Sequence, residues 1–237
     1  MKTVLITGAS QGLGKVLAEK LANENYQVLL LARSEELLKQ NAASIKKAGG
    51  QAEVFVCDIR DRLQVNNTIA AILQNYSIDV LVNNAGVWTD DELQQDKPGL
   101  MEEAFKTNTL GNIYVIEALL PYLKKKNQGK ILSVISSAGA LGIPAGDNTN
   151  WKVYGASKWG LVGYTNALKE SLRDTKIQVI QFLPGGFESN LYENATRPKA
   201  HNQPWMMKTE DVADCVLFAL NRPEDVYVEK LVISKMM

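Results

Sequence analysis

In VYGASKWG, residues 153–160, a phenol (Tyr154) stands four positions ahead of an ammonium group (Lys158), with only Gly155, Ala156 and Ser157 between them. At helical spacing, positions i and i+4 lie one above the other, so the two groups share a face. A free phenol, with a pKa of about 10, exchanges protons poorly near neutrality, and a fixed positive charge beside it favours the phenolate and lowers that value. The pair therefore suits general acid–base work, and the small residues would let something large approach it. An amphipathic helix with one core tyrosine and one surface lysine has the same spacing, so the pattern needs support from the rest of the chain.

That support begins at TGASQGLG, residues 7–14, where a short apolar run passes into a helix-period segment. Gly8, Gly12 and Gly14 allow a tight turn, close backbone approach to a pyrophosphate, and close helix–strand packing. A helix N-terminus there offers free N–H groups and a positive dipole end to phosphates. The spacing is GxxxGxG, and a glycine-rich turn that binds nothing is the alternative. The second apolar run ends in Leu31-Ala32-Arg33-Ser34. An acid at that point would bond the ribose 2′-OH of NAD. The chain has none, and the Arg33 guanidinium suits a 2′-phosphate, which favours NADP, with NAD second.

Positioning such groups requires a scaffold, and the patterning supplies one. KTVLITG, YQVLLLAR, AEVFVCD, IDVLVNNAG, GKILSVISS, KIQVIQFLPG and EKLVISK read as strands, most of them apolar without alternation, as in parallel strands covered on both faces. Helix-period segments separate them; one runs unbroken from about Leu100 to Lys126, and another from about Tyr154 to Arg173. Ser34 is placed as an N-cap ahead of Glu35 and Glu36, and Lys124-Lys125-Lys126 as a solvated helix end. Strict βα alternation predicts an α/β, doubly wound, mostly parallel seven-stranded sheet with helices on both faces. One domain over 1–237 is expected, with an excursion at about 187–208, FESNLYENATRPKAHNQPWMMK, as a lid or binding segment.

TGASQGLG, NNAG at 83–86, ISS at 135–137, YGASK at 154–158 and PGGFES at 184–189 occur in the order and contexts of the short-chain dehydrogenase/reductase family, and the chain resembles that family over nearly its whole length. The resemblance implies a Rossmann fold and hydride transfer between a nicotinamide cofactor and a carbonyl/alcohol pair. It implies Tyr154 as general acid/base, Lys158 lowering its pKa and reaching the nicotinamide ribose, Ser137 in preference to Ser136 on the substrate oxygen, and Asn108 holding a water in a proton relay. Cofactor contacts are implied at Gly8, Ser10, Gln11, Gly12, Leu13, Gly14, Arg33, Asn84, Tyr154 and Lys158. Asp58 would meet the adenine amino group with Ile59 beside the ring, Pro184 and Gly185 would shape the nicotinamide turn, and Ser189 would bond the carboxamide. Asn83 would knit neighbouring strands, and Asp58 also suits a helix N-cap. Two departures stand out: Gln11 replaces the basic residue frequent in NADP-preferring members, and Tyr154 follows Ser137 by seventeen positions, a wider spacing than usual, with GIPAGDNTNWK lengthening the loop.

Composition narrows the function classes. With 26 basic and 26 acidic residues, no global field draws the chain to nucleic acid or membrane, and no apolar run spans a bilayer. Cys57 and Cys215 lack metal-ligand spacing, no metal is expected, and a reducing cytoplasm is the expected setting. The lone His201 receives no role. Trp88, Trp151, Tyr192, Trp205, Met206 and Met207 suit an apolar pocket or equally packing. Family members pair their long helices, so a homodimer or homotetramer acting on a small carbonyl or alcohol is expected. The rivals are a non-catalytic dinucleotide sensor or scaffold, and an isomerase or dehydratase holding a non-exchanging nicotinamide.

Overall fold

The computed structural model describes residues 1–90, 92–93, 99–139, 151–194 and 203–236. His201, most of the long loop after Ser137 and part of the 187–208 excursion lie outside the described residues. Seven strands form one sheet: β1 (Thr3–Thr7), β2 (Gln27–Ala32), β3 (Gln51–Val56), β4 (Val80–Asn83), β5 (Gln128–Val134), β6 (Lys176–Pro184) and β7 (Lys230–Ile233). Their order is β3-β2-β1-β4-β5-β6-β7, and every pair is parallel. The order reverses between β1 and β4, which is where a doubly wound sheet opens a crevice at its carboxyl edge.

The helices are α1 (Gly12–Asn23), α2 (Glu35–Lys47), α3 (Arg62–Asn75), α4 (Leu100–Phe105), α5 (Asn112–Lys126), α6 (Lys152–Ser171), α7 (Leu191–Asn194) and α8 (Thr209–Leu220). The pleat sorts the core. Val4 and Ile6 of β1 face Leu17 and Leu21 of α1, Leu38 of α2 and Val216 of α8, while Leu5 between them faces Ile69 of α3, Leu119 of α5 and Leu168 of α6. Both faces are covered, which explains why the strands are apolar without alternation. None of the described helices is long and apolar enough to cross a membrane.

Four local expectations need correction. The segment from Leu100 to Lys126 is not one regular helix: Lys106–Gly111 winds as a π-helical turn between α4 and α5. Ser34 occupies the N-cap of α2 without a side-chain cap bond, so the first turn relies on Glu35 and Glu36 against the dipole. Lys126 is not a freely solvated end; its half-buried ammonium pairs with Asp79 and donates to the Ile78 carbonyl, just ahead of β4. Asp58 does not cap α3. Asp61 does, accepting from Leu63 N and Gln64 N at 2.9 and 3.0 Å. Cys57 is buried, as its apolar context implied.

Candidate active site

The glycine-rich turn is built from the backbone outward. Gly8 (φ +66°) turns the chain off β1 in the left-handed region, at little steric penalty for glycine alone. Gly14 carries the tightest packing: an added Cβ would stand 2.3 Å from the Gly8 carbonyl oxygen and 2.6 Å from Asn84 Nδ2. Its role is thus to seat α1 against the turn, not to touch a ligand. Leu13 likewise sends its side chain into the core, where it is 4% exposed, so a ligand would meet only its backbone. Gln11 holds the N-cap of α1 with no side-chain cap bond, which leaves the first N–H groups of the helix for a ligand. Ser10, Gln11 and Gly12 all face the cleft.

Two asparagines brace this turn. Asn84 Nδ2 donates to the carbonyls of Thr7 (3.0 Å) and Gly8 (3.3 Å), so its amide nitrogen supports the turn rather than being left for a ligand. Asn41 Nδ2 donates to the carbonyls of Ala9 (3.0 Å) and Ser10 (2.9 Å). Sequence reading missed Asn41. Its signal was a polar residue on the apolar stripe of α2, between Leu38 and Ala42. Asn83 ties β4 to α5 through the Asn112 carbonyl (3.0 Å), a helix rather than a neighbouring strand.

Tyr154 and Lys158 share the inner face of α6, at 6% and 4% exposure. Lys158 is therefore no surface lysine. Its Nζ donates to the Val134 carbonyl (3.3 Å) at the end of β5 and lies 5.9 Å from the centre of the Tyr154 ring. Burial pushes its pKa down to about 8. Of the small residues of YGASK, Ser157 packs against protein, while Gly155 is half-buried and Ala156 exposed. Ser157 Oγ accepts from Asn108 Nδ2 (3.0 Å) and its carbonyl accepts from Thr109 Oγ1 (2.6 Å), which locks α6 onto the π-helical turn. Asn108 also exchanges two bonds with the Val87 backbone, at 2.8 and 2.9 Å. Both ends of the Asn108 amide are thus engaged in holding the strand end, α6 and the turn together. Ser136 Oγ accepts from Ala138 N (3.1 Å) within the short 3-10 turn Ser137–Gly139, whereas Ser137 lies on the cleft wall.

At the opposite end of the cleft, Arg60 grips the Asp58 carboxylate with two nitrogens, Nε and Nη2, at 2.6–3.0 Å and reaches Glu103 of α4 with Nη1 at 3.0 Å. The guanidinium holds the Asp58 carboxyl below its usual range, and Arg33 adds to the effect. Arg60 is a second residue the sequence reading passed over; an arginine two positions after an acid was its only trace. Arg33 stands exposed at the mouth, and Ile59 lines the wall while packing into the core. Pro184 closes β6, and Gly185 N donates to the Ile233 carbonyl (2.8 Å), fixing the next turn against β7. Ser189 Oγ accepts from Leu191 N (3.3 Å) at the start of α7.

Of the candidate residues, all except Gly14 and Asn108 border one cleft of about 1460 Å³ at the carboxyl ends of the strands, as does Arg60, whereas Asn41, Asn83, Thr109 and Ser157 are not part of its wall. That volume exceeds the range usual for a single small ligand, as a dinucleotide beside a substrate requires. The residues fit such an occupant: an uncapped helix start faces the centre, an arginine stands at one end, and Thr107 Oγ1 is buried on the wall without a hydrogen-bond partner among the described residues. A second cavity of about 680 Å³, at the amino edge of the sheet, has lysines and carboxylates intermixed and holds none of the candidate residues. Met206 and Met207 are buried packing residues, whereas Trp88, Trp151 and Trp205 border the large cleft. The side chain of Tyr192 lies outside the described residues. Among the described residues no cluster of His, Cys, Asp and Glu is arranged to hold a metal ion.

Known proteins are similar to this chain in sequence and fold. The ketoacyl reductase HetN of Nostoc sp. is 31% identical over 240 residues, taking in 99% of this chain and 80% of that protein. The 3-oxoacyl-(acyl-carrier-protein) reductase FabG of Thermotoga maritima is 32% identical over 240 residues, 98% of this chain and 95% of that one. An alcohol dehydrogenase from the archaeon Thermococcus sibiricus, solved complexed with 5-hydroxy-NADP, superposes with a TM-score of 0.88 at 26% identity, over 99% of this chain and 97% of its own. The sequence model described as short chain dehydrogenase matches residues 2–200. With its motifs gathered along the switch-point crevice of a parallel sheet, this chain belongs to the short chain dehydrogenase family.

Proposed function

We propose that the protein is an NADP(H)-dependent oxidoreductase that moves a hydride between the nicotinamide and a carbonyl/alcohol pair, with Tyr154 as general acid/base. The observation that carries this reading is the meeting of Ser137, Tyr154 and Lys158 with Gly8, Gly12 and Arg33 in one cleft. The cofactor, when bound, supplies or accepts the hydride. Tyr154 hands its proton to the carbonyl oxygen, and Ser137 donates a hydrogen bond to that oxygen as charge develops on it. The Lys158 ammonium, charged below about pH 8, favours the phenolate that remains and reaches the ribose hydroxyls. With both ends of the Asn108 amide engaged and its backbone carbonyl accepting from Asn112 Nδ2 at 3.2 Å, a relay water held at Asn108 would share that carbonyl through its second lone pair. Ser10, Gln11 and Gly12 with the backbone of Leu13 receive the pyrophosphate, Asp58 the adenine amino group beside Ile59, and Ser189 the carboxamide beside Pro184 and Gly185. The test is stoichiometric consumption of NADPH with a ketone: conversion of substrate with no net reduction and no NADPH loss points to the isomerase or dehydratase rival, and binding without any turnover to the sensor.

Arg33 should set the cofactor preference. A guanidinium–phosphate contact contributes about 1.5–3 kcal/mol, so NADPH should bind roughly tenfold to a hundredfold more tightly than NADH. Arg33→Ala should remove most of that margin in a fluorescence titration. Equal affinity for both cofactors in the unaltered protein sinks the assignment.

The outer faces around the cleft support assembly. Met101, Phe105, Leu110 and Trp159 stand 36–48% exposed on α4, the π-helical turn and α6. A face with four large apolar residues suits a closed, symmetric homo-oligomer. Light scattering at micromolar concentration should return at least twice the chain mass of 26.1 kDa; a monomer mass overturns this.

A further inference from the structure

The wall beside Tyr154 is aromatic. Trp151, the last residue before α6, sets its ring edge-on to Tyr154, with centroids 6.3 Å apart and planes at 83°. The same indole stands edge-on to Trp88, at 6.1 Å and 90°. Trp88 follows the end of β4 and is only 7% exposed, with Leu93, Leu100 and Leu191 in the same cluster. Trp151 remains partly open to the cleft, so an indole surface is presented next to the reacting oxygen's position. Aromatic rings meet a flat apolar partner favourably in offset or edge-to-face geometry.

Among the described residues, the cations bordering the cleft are Arg33 and Arg60 at one end, Lys158 beside Tyr154, and Lys235 after β7, while the wall beside Tyr154 that Trp88 and Trp151 form offers a flat neutral group π surface.

We propose that Trp151, backed by Trp88, is a specificity-determining residue and that the substrate class is a ketone with an aryl group directly on the carbonyl carbon, in preference to one with an alkyl group there. This rests on the oxidoreductase reading above. In the step, hydride from NADPH forms the new C–H bond, the carbonyl π pair moves to oxygen, Tyr154 supplies the proton, and the products are a benzylic alcohol and NADP⁺.

The test compares ethyl benzoylacetate with ethyl acetoacetate, which differ only by phenyl for methyl beside the reacting carbonyl, and adds acetoacetyl-CoA as a second substrate with methyl there. The wild-type kcat/KM should favour the phenyl ester at least about tenfold over each of the others. Trp151→Ala should lower the phenyl-over-methyl ratio about tenfold or more, and Trp151→Phe should retain most of it. The pH profile of kcat should keep its shape in both variants, because selectivity and not the Tyr154 proton is altered. If Trp151→Ala fails to bind NADPH, Trp151→Leu takes its place. A ratio near one in the wild type, or a ratio unmoved by truncation, overturns the proposal. Preferred reduction of acetoacetyl-CoA overturns it while leaving the oxidoreductase reading intact; reduction of no ketone at all brings down both.

Discussion

Tyr154→Phe should abolish turnover while leaving the protein folded and NADPH bound. The substitution deletes one hydroxyl and keeps the ring, so the edge-on contact with Trp151 at 6.3 Å survives. The backbone carbonyl of residue 154 still accepts from Ser157 Oγ at 2.7 Å, because phenylalanine retains it. The glycine-rich turn proposed to hold the phosphates rests on Gly8, Asn41 and Asn84, which hydrogen-bond within the turn and not to Tyr154. In the proposed reaction, the lost oxygen is the proton donor for the alkoxide formed as the carbonyl is reduced. General acid catalysis of this kind contributes about 10²–10⁴-fold, and kcat should fall by that amount with the NADPH dissociation constant changed little. Stopped-flow reduction of a ketone and a fluorescence titration of cofactor check the two halves separately. Near-normal kcat in the phenylalanine protein ends the assignment of Tyr154 as acid/base.

Why the site was legible where it was, and hidden elsewhere, follows from the kind of contact involved. The seven strands and the crevice could be read because apolar runs alternating with helix-period segments leave few ways to cover both faces of a sheet. The Tyr154–Lys158 pair could be read because one helix carries both, so sequence spacing is spatial spacing. Asn41, Arg60 and Thr107 could not, since their significance depends on meetings between segments distant in sequence. Arg60 and Glu103 are 43 positions apart and join at one end of the cleft. Asn108 was singled out as a relay residue, and the fold adds what its side chain holds. The sequence marks a polar residue in a helix, but only the fold shows its amide filled by Val87 and Ser157, and only a π-helical turn brings it there. Gly14 shows the converse: the pattern flags the glycine correctly, and the 2.3 Å clearance to Gly8 assigns it to packing rather than to ligand contact.

Lys158→Met should make the cofactor-free protein more stable and nearly inactive. Lys158 is 4% exposed and has a carbonyl partner, Val134, and burial lowers its pKa from 10.5 to about 8. A shift of that size corresponds to about 3 kcal/mol of penalty for keeping the ammonium buried. The sign follows from proton counts: below pH 8 both folded and unfolded chains hold the proton, and the full penalty applies. Between pH 8 and 10.5 the unfolded chain holds more protons, so the wild type gains stability as pH rises, and above 10.5 the penalty is gone. Methionine has similar length and no charge, so the variant's advantage should be full at pH 7 and shrink steadily above pH 8. Urea unfolding of both proteins at pH 7 and pH 9.5, without cofactor, measures this difference directly. A less stable variant at pH 7, or a gap that does not narrow with pH, contradicts the buried-ammonium account. Function should move the opposite way: with no cation beside Tyr154 or the ribose, turnover and NADPH affinity both drop. In the wild type, NADPH affinity should weaken as pH rises through about 8, because the protonated lysine is the form that binds. The fold thus holds an unfavourable charge in its interior at neutral pH, and the chemistry proposed for Tyr154 is what that charge makes available.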